Sequence, residues 1–145
     1  MLEPAVREER TGWRDQSISQ RHRLWGFNCP AVDLDFLVVE YNVGKPVAII
    51  EYKHHGAKYP DWHHPTYRAL ISLANIARLP FLVVFYHNVD WWFRVVPVNG
   101  HAKKYYEHWQ GMTESEFVAS LYRMRRVVLT NEIADKLHSV KPPSD

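Results

Sequence analysis

Four charged residues in the stretch DLDFLVVEYNVGKPVAIIEYK have the types and spacing to do chemistry: Asp33, Asp35, Glu51 and Lys53. Side chains of an extended segment alternate between faces, so Asp33 and Asp35 share a face of theirs, and Glu51 and Lys53 share a face of theirs. In a hairpin whose loop is centred on Gly44, Asn42 lies across from Pro46, and Asp35 lies across from Lys53 and diagonal to Glu51. Directly opposed Cβ atoms stand about 4.5–5.5 Å apart and diagonal ones about 7–8 Å, a separation at which two carboxylates can share one divalent cation. Asp33 lies one pleat further out, which favours Asp35 as the ligand. A slip of one residue would set Asp35 against Tyr52 and send the carboxylates to opposite faces.

Charges at the ends of strands destined for burial are costly unless paired or metal-bound. Carboxylate oxygens suit Mg²⁺ or Mn²⁺, which hold one or two carboxylates, keep several waters and complete their shell from substrate phosphate. The main-chain carbonyl of Tyr52 is a further available ligand. Metal at such a site lowers the pKa of a bound water and stabilises charge on phosphate, and Lys53 can orient the water or offset developing negative charge. That chemistry is phosphodiester hydrolysis.

Asp35 (or Asp33), a variable stretch, and then Glu51-Tyr52-Lys53 at the end of the next strand, with a helix and another strand following, resemble the PD-(D/E)XK, or restriction-endonuclease-like, nucleases. The resemblance covers residues 16–98. It departs from the pattern in one place, the proline before the aspartate: Leu34 precedes Asp35 and Val32 precedes Asp33. It implies an α/β domain with a central mixed β-sheet flanked by α-helices, and Mg²⁺-dependent cleavage of DNA or, less often, RNA. It also implies that an N-terminal helix brings Arg21 or Arg23 to the scissile phosphate, with Glu8 or Glu9 as an outer metal contact. The helix after Glu-x-Lys would supply Tyr67 or Arg68, and so small a nuclease would cut both strands as a homodimer. A restriction-fold protein that binds nucleic acid or a protein partner without cutting is the second expectation; the completeness of the Asp, Glu and Lys set argues against it.

The elements that must position this site can be read from pattern. Leu34–Tyr41 and Val47–Tyr52 are rich in Val, Ile, Phe and Tyr, with turn residues from Asn42 to Pro46 between them. The alternative, an amphipathic hairpin with Glu51 and Lys53 as an exposed ion-paired end, does not account for the runs FLVV and VAII, which read as strands buried on both sides. Pro65–Arg78 reads as a helix with proline in its first turn and Tyr67, Leu70, Ile71, Ala74 and Ala77 at helical spacing; Tyr67 there is equally a core residue. FLVVFYH and WWFRVVPV read as two strands joined at Asn88-Val89-Asp90, the first beside the Glu51 strand, with Trp91 and Trp92 covering the sheet. Thr113–Arg126 reads as a second helix, Thr113 and Glu116 forming a capping box and Phe117, Leu121 and Met124 an apolar stripe. Gln16–Trp25 is polar, a short surface helix or an irregular arm, and 26–30 a turn into the hairpin. From Lys136 onward the tail should fray.

The loop HHGAKYPDWHHP holds four histidines. It lacks the ligand spacing of a zinc site and reads as a border of the active site, where His54, His55, Lys58 or His63 could touch phosphate or base. A length of 145 residues with 46% hydrophobic residues fits one domain with a core. No apolar run reaches the ~18 residues of a membrane span, and a single cysteine, Cys29, fits a reducing compartment, so the expectation is a cytoplasmic protein. Net charge is only +2, but Arg7, Arg10, Arg14, Arg21 and Arg23 cluster early and Lys103, Lys104, Arg123, Arg125 and Arg126 late. Either group could guide a polyanion or be an ordinary solvated face.

Overall fold

The structure, a computed structural model, describes residues 16–25 and 30–144. Cys29, Arg7, Arg10, Arg14, Glu8 and Glu9 lie outside the described residues, as does most of the turn expected at 26–30. The chain divides into two compact units, Met1–Asp33 and Leu34–Asp145. In the first, Gln16–Trp25 is a helix, α1, on which His22 and Trp25 pack edge to face at 4.6 Å, and Arg21 and Arg23 are exposed.

The second unit is built on β1 (Phe36–Glu40), β2 (Lys45–His54), α2 (Pro65–Ala77), β3 (Phe81–Tyr86), β4 (Phe93–Pro97), β5 (Gln110–Met112), α3 (Glu114–Arg125) and α4 (Asn131–Ala134). Five strands form one mixed sheet in the order β1-β2-β3-β4-β5. Neighbours are antiparallel except β2 and β3, which run parallel because α2 returns the chain across the sheet between them. Helix α2 covers one face: Tyr67, Leu70 and Ala74 bury against Ile49, Phe81, Val83, Phe85 and Val96. The other face packs Ala48, Ile50, Leu82, Val84, Phe93 and Val95 against Phe117 and Met124 of α3, with Ala102 and Tyr106. With both faces covered, the central strand β3 reads as a continuous apolar run and is buried from Phe81 to Phe85.

Local chemistry sets the ends. His64 caps α2 through its own Nδ1, which accepts from Thr66 N, and Arg78 closes the helix in the left-handed region. Thr113 and Glu116 form the expected capping box of α3. Among the described residues no helix is long and apolar enough to cross a membrane.

Three expectations change. The run FLVV is not buried on both sides: β1 is an edge strand, and Phe36 and Leu37 are nearly half exposed because only β2 flanks them in the sheet. Trp91 and Trp92 precede β4 and end the turn after β3. Trp91, at φ 54°, stacks on Tyr86 at the surface, and Trp92 alone is buried. The stretch from Lys136, where fraying is expected, makes contacts. Arg94 Nη2 donates to Pro143 O at 2.8 Å, His138 N donates to Glu114 Oε1 at 2.7 Å, and Lys141 pairs with Glu116. A side chain at Gly111 would meet Pro142 Cγ at 2.5 Å, so that close approach requires glycine.

Candidate functional site

The hairpin register decides which charged groups meet. A 3-10 turn at Tyr41–Val43, with Gly44 left-handed at φ 64°, sets Glu40 against Lys45 and Val39 against Pro46. Continued regularly, that pairing would place Asp35 across from Ile50, on the α3 face. The register instead shifts between Val38 and Val39: Val38 faces Ala48, Leu37 faces Ile49 and Phe36 faces Ile50, leaving Val47 as the extra residue of a bulge. Extended one residue beyond the end of β1, this register puts Asp35 opposite Glu51. Asp35 was expected across from Lys53 and diagonal to Glu51; the difference of two residues preserves the face and brings the carboxylates closer.

Within β2 the expected alternation holds. Glu51 and Lys53 follow Ile49 onto the α2 face, whereas Tyr52 turns to the α3 face, edge-on to Phe36 and Phe117. Burial of the Tyr52 ring pushes its hydroxyl pKa up to about 12, so it stays neutral. Ile49 N bonds Pro80 O and His55 N bonds Tyr86 O, so the odd-numbered residues of β2 turn their main-chain groups toward β3. The Tyr52 carbonyl therefore faces the other way, toward the β1 side from which Asp35 comes.

Lys53 and Tyr67 link strand to helix. The Lys53 Nζ lies 5.8 Å from the centre of the Tyr67 ring. Its hydrogen bond with Tyr67 raises its pKa above the ordinary lysine value, and the negative charges of Glu51 and Asp35 add to the effect. The Tyr67 hydroxyl is raised in turn, by burial first and then by its hydrogen bond and proximity to Glu51. Tyr67 is thus both a core residue and a member of the site. One carboxylate oxygen, Glu51 Oε2, is buried with no hydrogen-bond partner among the described residues. A buried carboxyl oxygen in that condition is costly, and a bound cation removes the cost. Asp35, Glu51 and the Tyr52 carbonyl would offer a cation there only oxygen donors, the kind that suit Mg²⁺ or Mn²⁺. Among the described residues no three His, Cys, Asp or Glu side chains converge as a metal group, so the fit rests on two carboxylates and a carbonyl.

The other expected residues are dispersed. Asp33 closes the first unit, in which Arg21 and Arg23 also lie. Arg68 is exposed beside Tyr67 on α2, and Lys58 is exposed in the loop after β2. His54 Nδ1 accepts from Gly56 N, and the Asp61 carboxylate accepts from the main-chain N–H of His63, so the His54 and Asp61 side chains shape that loop. Sequence reasoning missed Tyr59, Arg94 and Trp109, which gather with His55, Ala57 and Phe85 around a cavity of about 320 Å³ on the α2 face. Strand pairing places Arg94 there, since Lys53 faces Phe85, Phe85 faces Arg94, and Arg94 faces Gly111 of β5, the strand that Trp109 leads into, while Tyr59 reaches the cavity from the loop after β2. No protein-family model, no curated protein and no solved structure matches this chain.

Proposed function

We propose that the chain is a divalent-metal-dependent nuclease with a restriction-endonuclease-like fold, hydrolysing phosphodiester bonds of DNA. What supports this reading is that the strand register puts Asp35, Glu51 and Lys53 on one face, with a buried Glu51 oxygen that has no hydrogen-bond partner among the described residues. The order hairpin, helix, parallel strand around that face supports the fold assignment.

Each residue has a distinct role in this reading. Asp35, Glu51 and the Tyr52 carbonyl hold Mg²⁺ or Mn²⁺, which when bound polarises phosphate and acidifies water. Lys53, protonated throughout the neutral range, faces the negative charge that develops on the phosphate and orients the water. Tyr67 fixes the Lys53 ammonium and the Glu51 carboxylate relative to each other. Hydrolysis of both strands would take two copies of the site, which a mass measurement in solution tests.

Incubation of plasmid and branched DNA with Mg²⁺, with Mn²⁺ and with chelator tests the assignment. Wild type should cut only with metal, and Glu51→Gln and Lys53→Ala should each lose at least about 100-fold in rate, the scale of losing one charge-stabilising group. DNA that binds but stays intact under every metal condition would leave the binding-only alternative.

A further inference from the structure

The aromatic cavity beside Lys53 has no part in the metal chemistry, and its composition is specific. Phe85 forms its floor and Tyr59 lies over Phe85 at 6.4 Å with the rings 11° from parallel. On the far side the Arg94 guanidinium stands 5.6 Å from the Trp109 ring and 4.8 Å from Trp92, while donating to Pro143 O. That double contact holds Trp109 against the cavity through its π face. Tyr59 and Trp109 are 60% and 40% exposed, so neither ring is consumed by the core. His55 completes the wall. Its pKa is lowered by desolvation and by His54, His87 and Arg94 nearby, so near pH 7 it is a neutral imidazole able to donate and accept hydrogen bonds.

The cavity lies beside the candidate metal site. Lys53 and Phe85 are register partners, as are Phe85 and Arg94, so two strand spacings of about 4.8 Å each separate Lys53 from Arg94 on one face. Rings connect them along the helix side as well: Tyr67 meets Trp62 at 5.3 Å, and Trp62 meets Tyr59 at 5.7 Å. A polyanion whose phosphate lies at Lys53 therefore has an aromatic recess, with a cation at its rim, within reach of a neighbouring residue of the same strand. Stacking faces beside a guanidinium suit a nucleobase and its phosphate. A base paired inside a duplex cannot enter a recess of this kind; an unpaired or splayed one can.

We infer that the cavity lined by Tyr59, Phe85, Arg94 and Trp109 is a base-stacking subsite for single-stranded nucleic acid, receiving an unpaired nucleobase next to the phosphate held at Lys53. The inference rests on the nuclease reading for its choice of nucleic acid, and it narrows the substrate to frayed ends, flaps or single strands.

The test is binding of a fluorescein-labelled oligothymidine in chelator, read by anisotropy and compared with a duplex of the same length and with thymidine monophosphate. Wild type should prefer the single strand, and Tyr59→Ala and Trp109→Ala should each weaken it by about 5- to 150-fold, the loss expected for one stacked base. Trp109→Phe should recover most of the affinity, and Glu51→Gln should bind at least as tightly as wild type. Undiminished binding by both alanine variants, equal affinity for duplex, or equal affinity for the mononucleotide overturns the subsite. Metal-dependent cleavage by wild type and Glu51→Gln is scored separately, so loss of the metal-site reading and loss of the base subsite are distinct results.

Discussion

The Lys53 ammonium lies 5.8 Å from the centre of the Tyr67 ring, held between a helix residue and the carboxylates of the hairpin. Because the Tyr67 hydrogen bond is the largest cause raising the Lys53 pKa, the folded value exceeds the unfolded one. The stabilisation from this pairing is therefore fully present below the unfolded lysine pKa of about 10.4 and is lost as pH rises through the folded value. Tyr67→Phe should lower the Lys53 pKa. At pH 9 the variant should react faster than wild type with an amine-selective acylating reagent at Lys53, mapped by mass spectrometry. Equal rates would show that the hydroxyl does not act on the ammonium.

Glu51 Oε2 is buried with no hydrogen-bond partner among the described residues, a condition that lowers stability. In chelator, Glu51→Gln should unfold at a temperature equal to or a few degrees above wild type, because an unsatisfied buried acceptor costs about 1–3 kcal/mol. Mg²⁺ or Mn²⁺ at about 100 times the dissociation constant should stabilise wild type by about 2.7 kcal/mol and leave the variant unmoved. Thermal scans with and without metal check both signs.

The sequence made β1 to β4, both main helices and the capping box legible because each depends on local pattern, whereas the three residues of β5 carry too little pattern to read. FLVVFY is uniformly apolar since both faces of β3 are covered, and the Thr113 and Glu116 spacing is a complete signal in itself. The Glu51 and Lys53 pair was readable for the same reason, alternation along one strand. What could not be read was set across the chain. The bulge at Val47 depends on how the turn at Tyr41–Val43 closes, and it is this bulge that brings Asp35 across from Glu51. The exposure of Phe36 and Leu37 follows from edge position, which composition does not encode. Tyr59, Arg94 and Trp109 are far apart in sequence and share a cavity only through the pairing of β2, β3, β4 and β5 and the loop after β2 that carries Tyr59.

The edge strand is tied to the second face by an ion pair. Arg125 Nε donates to Glu40 Oε1 at 2.6 Å, and both side chains are only about a fifth exposed (19% and 23%). A double-mutant cycle with Glu40→Gln and Arg125→Met should give a coupling of about 1 kcal/mol, at the upper end for partly exposed pairs and reduced by added salt. Denaturation midpoints for the four proteins measure it. A coupling of zero would mean that β1 is held by its ladder to β2 and the packing of Val38, without help from the ion pair.

Asn99 is the polar keystone behind β3. It is 5% exposed, and its amide uses its full bonding capacity. Oδ1 accepts from Phe81 N and Ala102 N, both at 3.0 Å, and Nδ2 donates to Leu79 O at 2.8 Å and Asn75 Oδ1 at 3.1 Å. Asn99→Ala should cost about 3–4 kcal/mol, since two buried N–H groups lose their acceptor. Asn99→Asp keeps an acceptor for those groups but sets a carboxylate oxygen against Leu79 O and Asn75 Oδ1, which disfavours the ionised form and raises the folded pKa. The folded state then binds more protons than the unfolded one, so the stability of this variant should rise as pH falls from 7 toward 5, opposite to the usual carboxylate behaviour. Urea titrations across that range read the sign directly, and a variant whose stability fell on acidification would show that the carboxylate had found another donor.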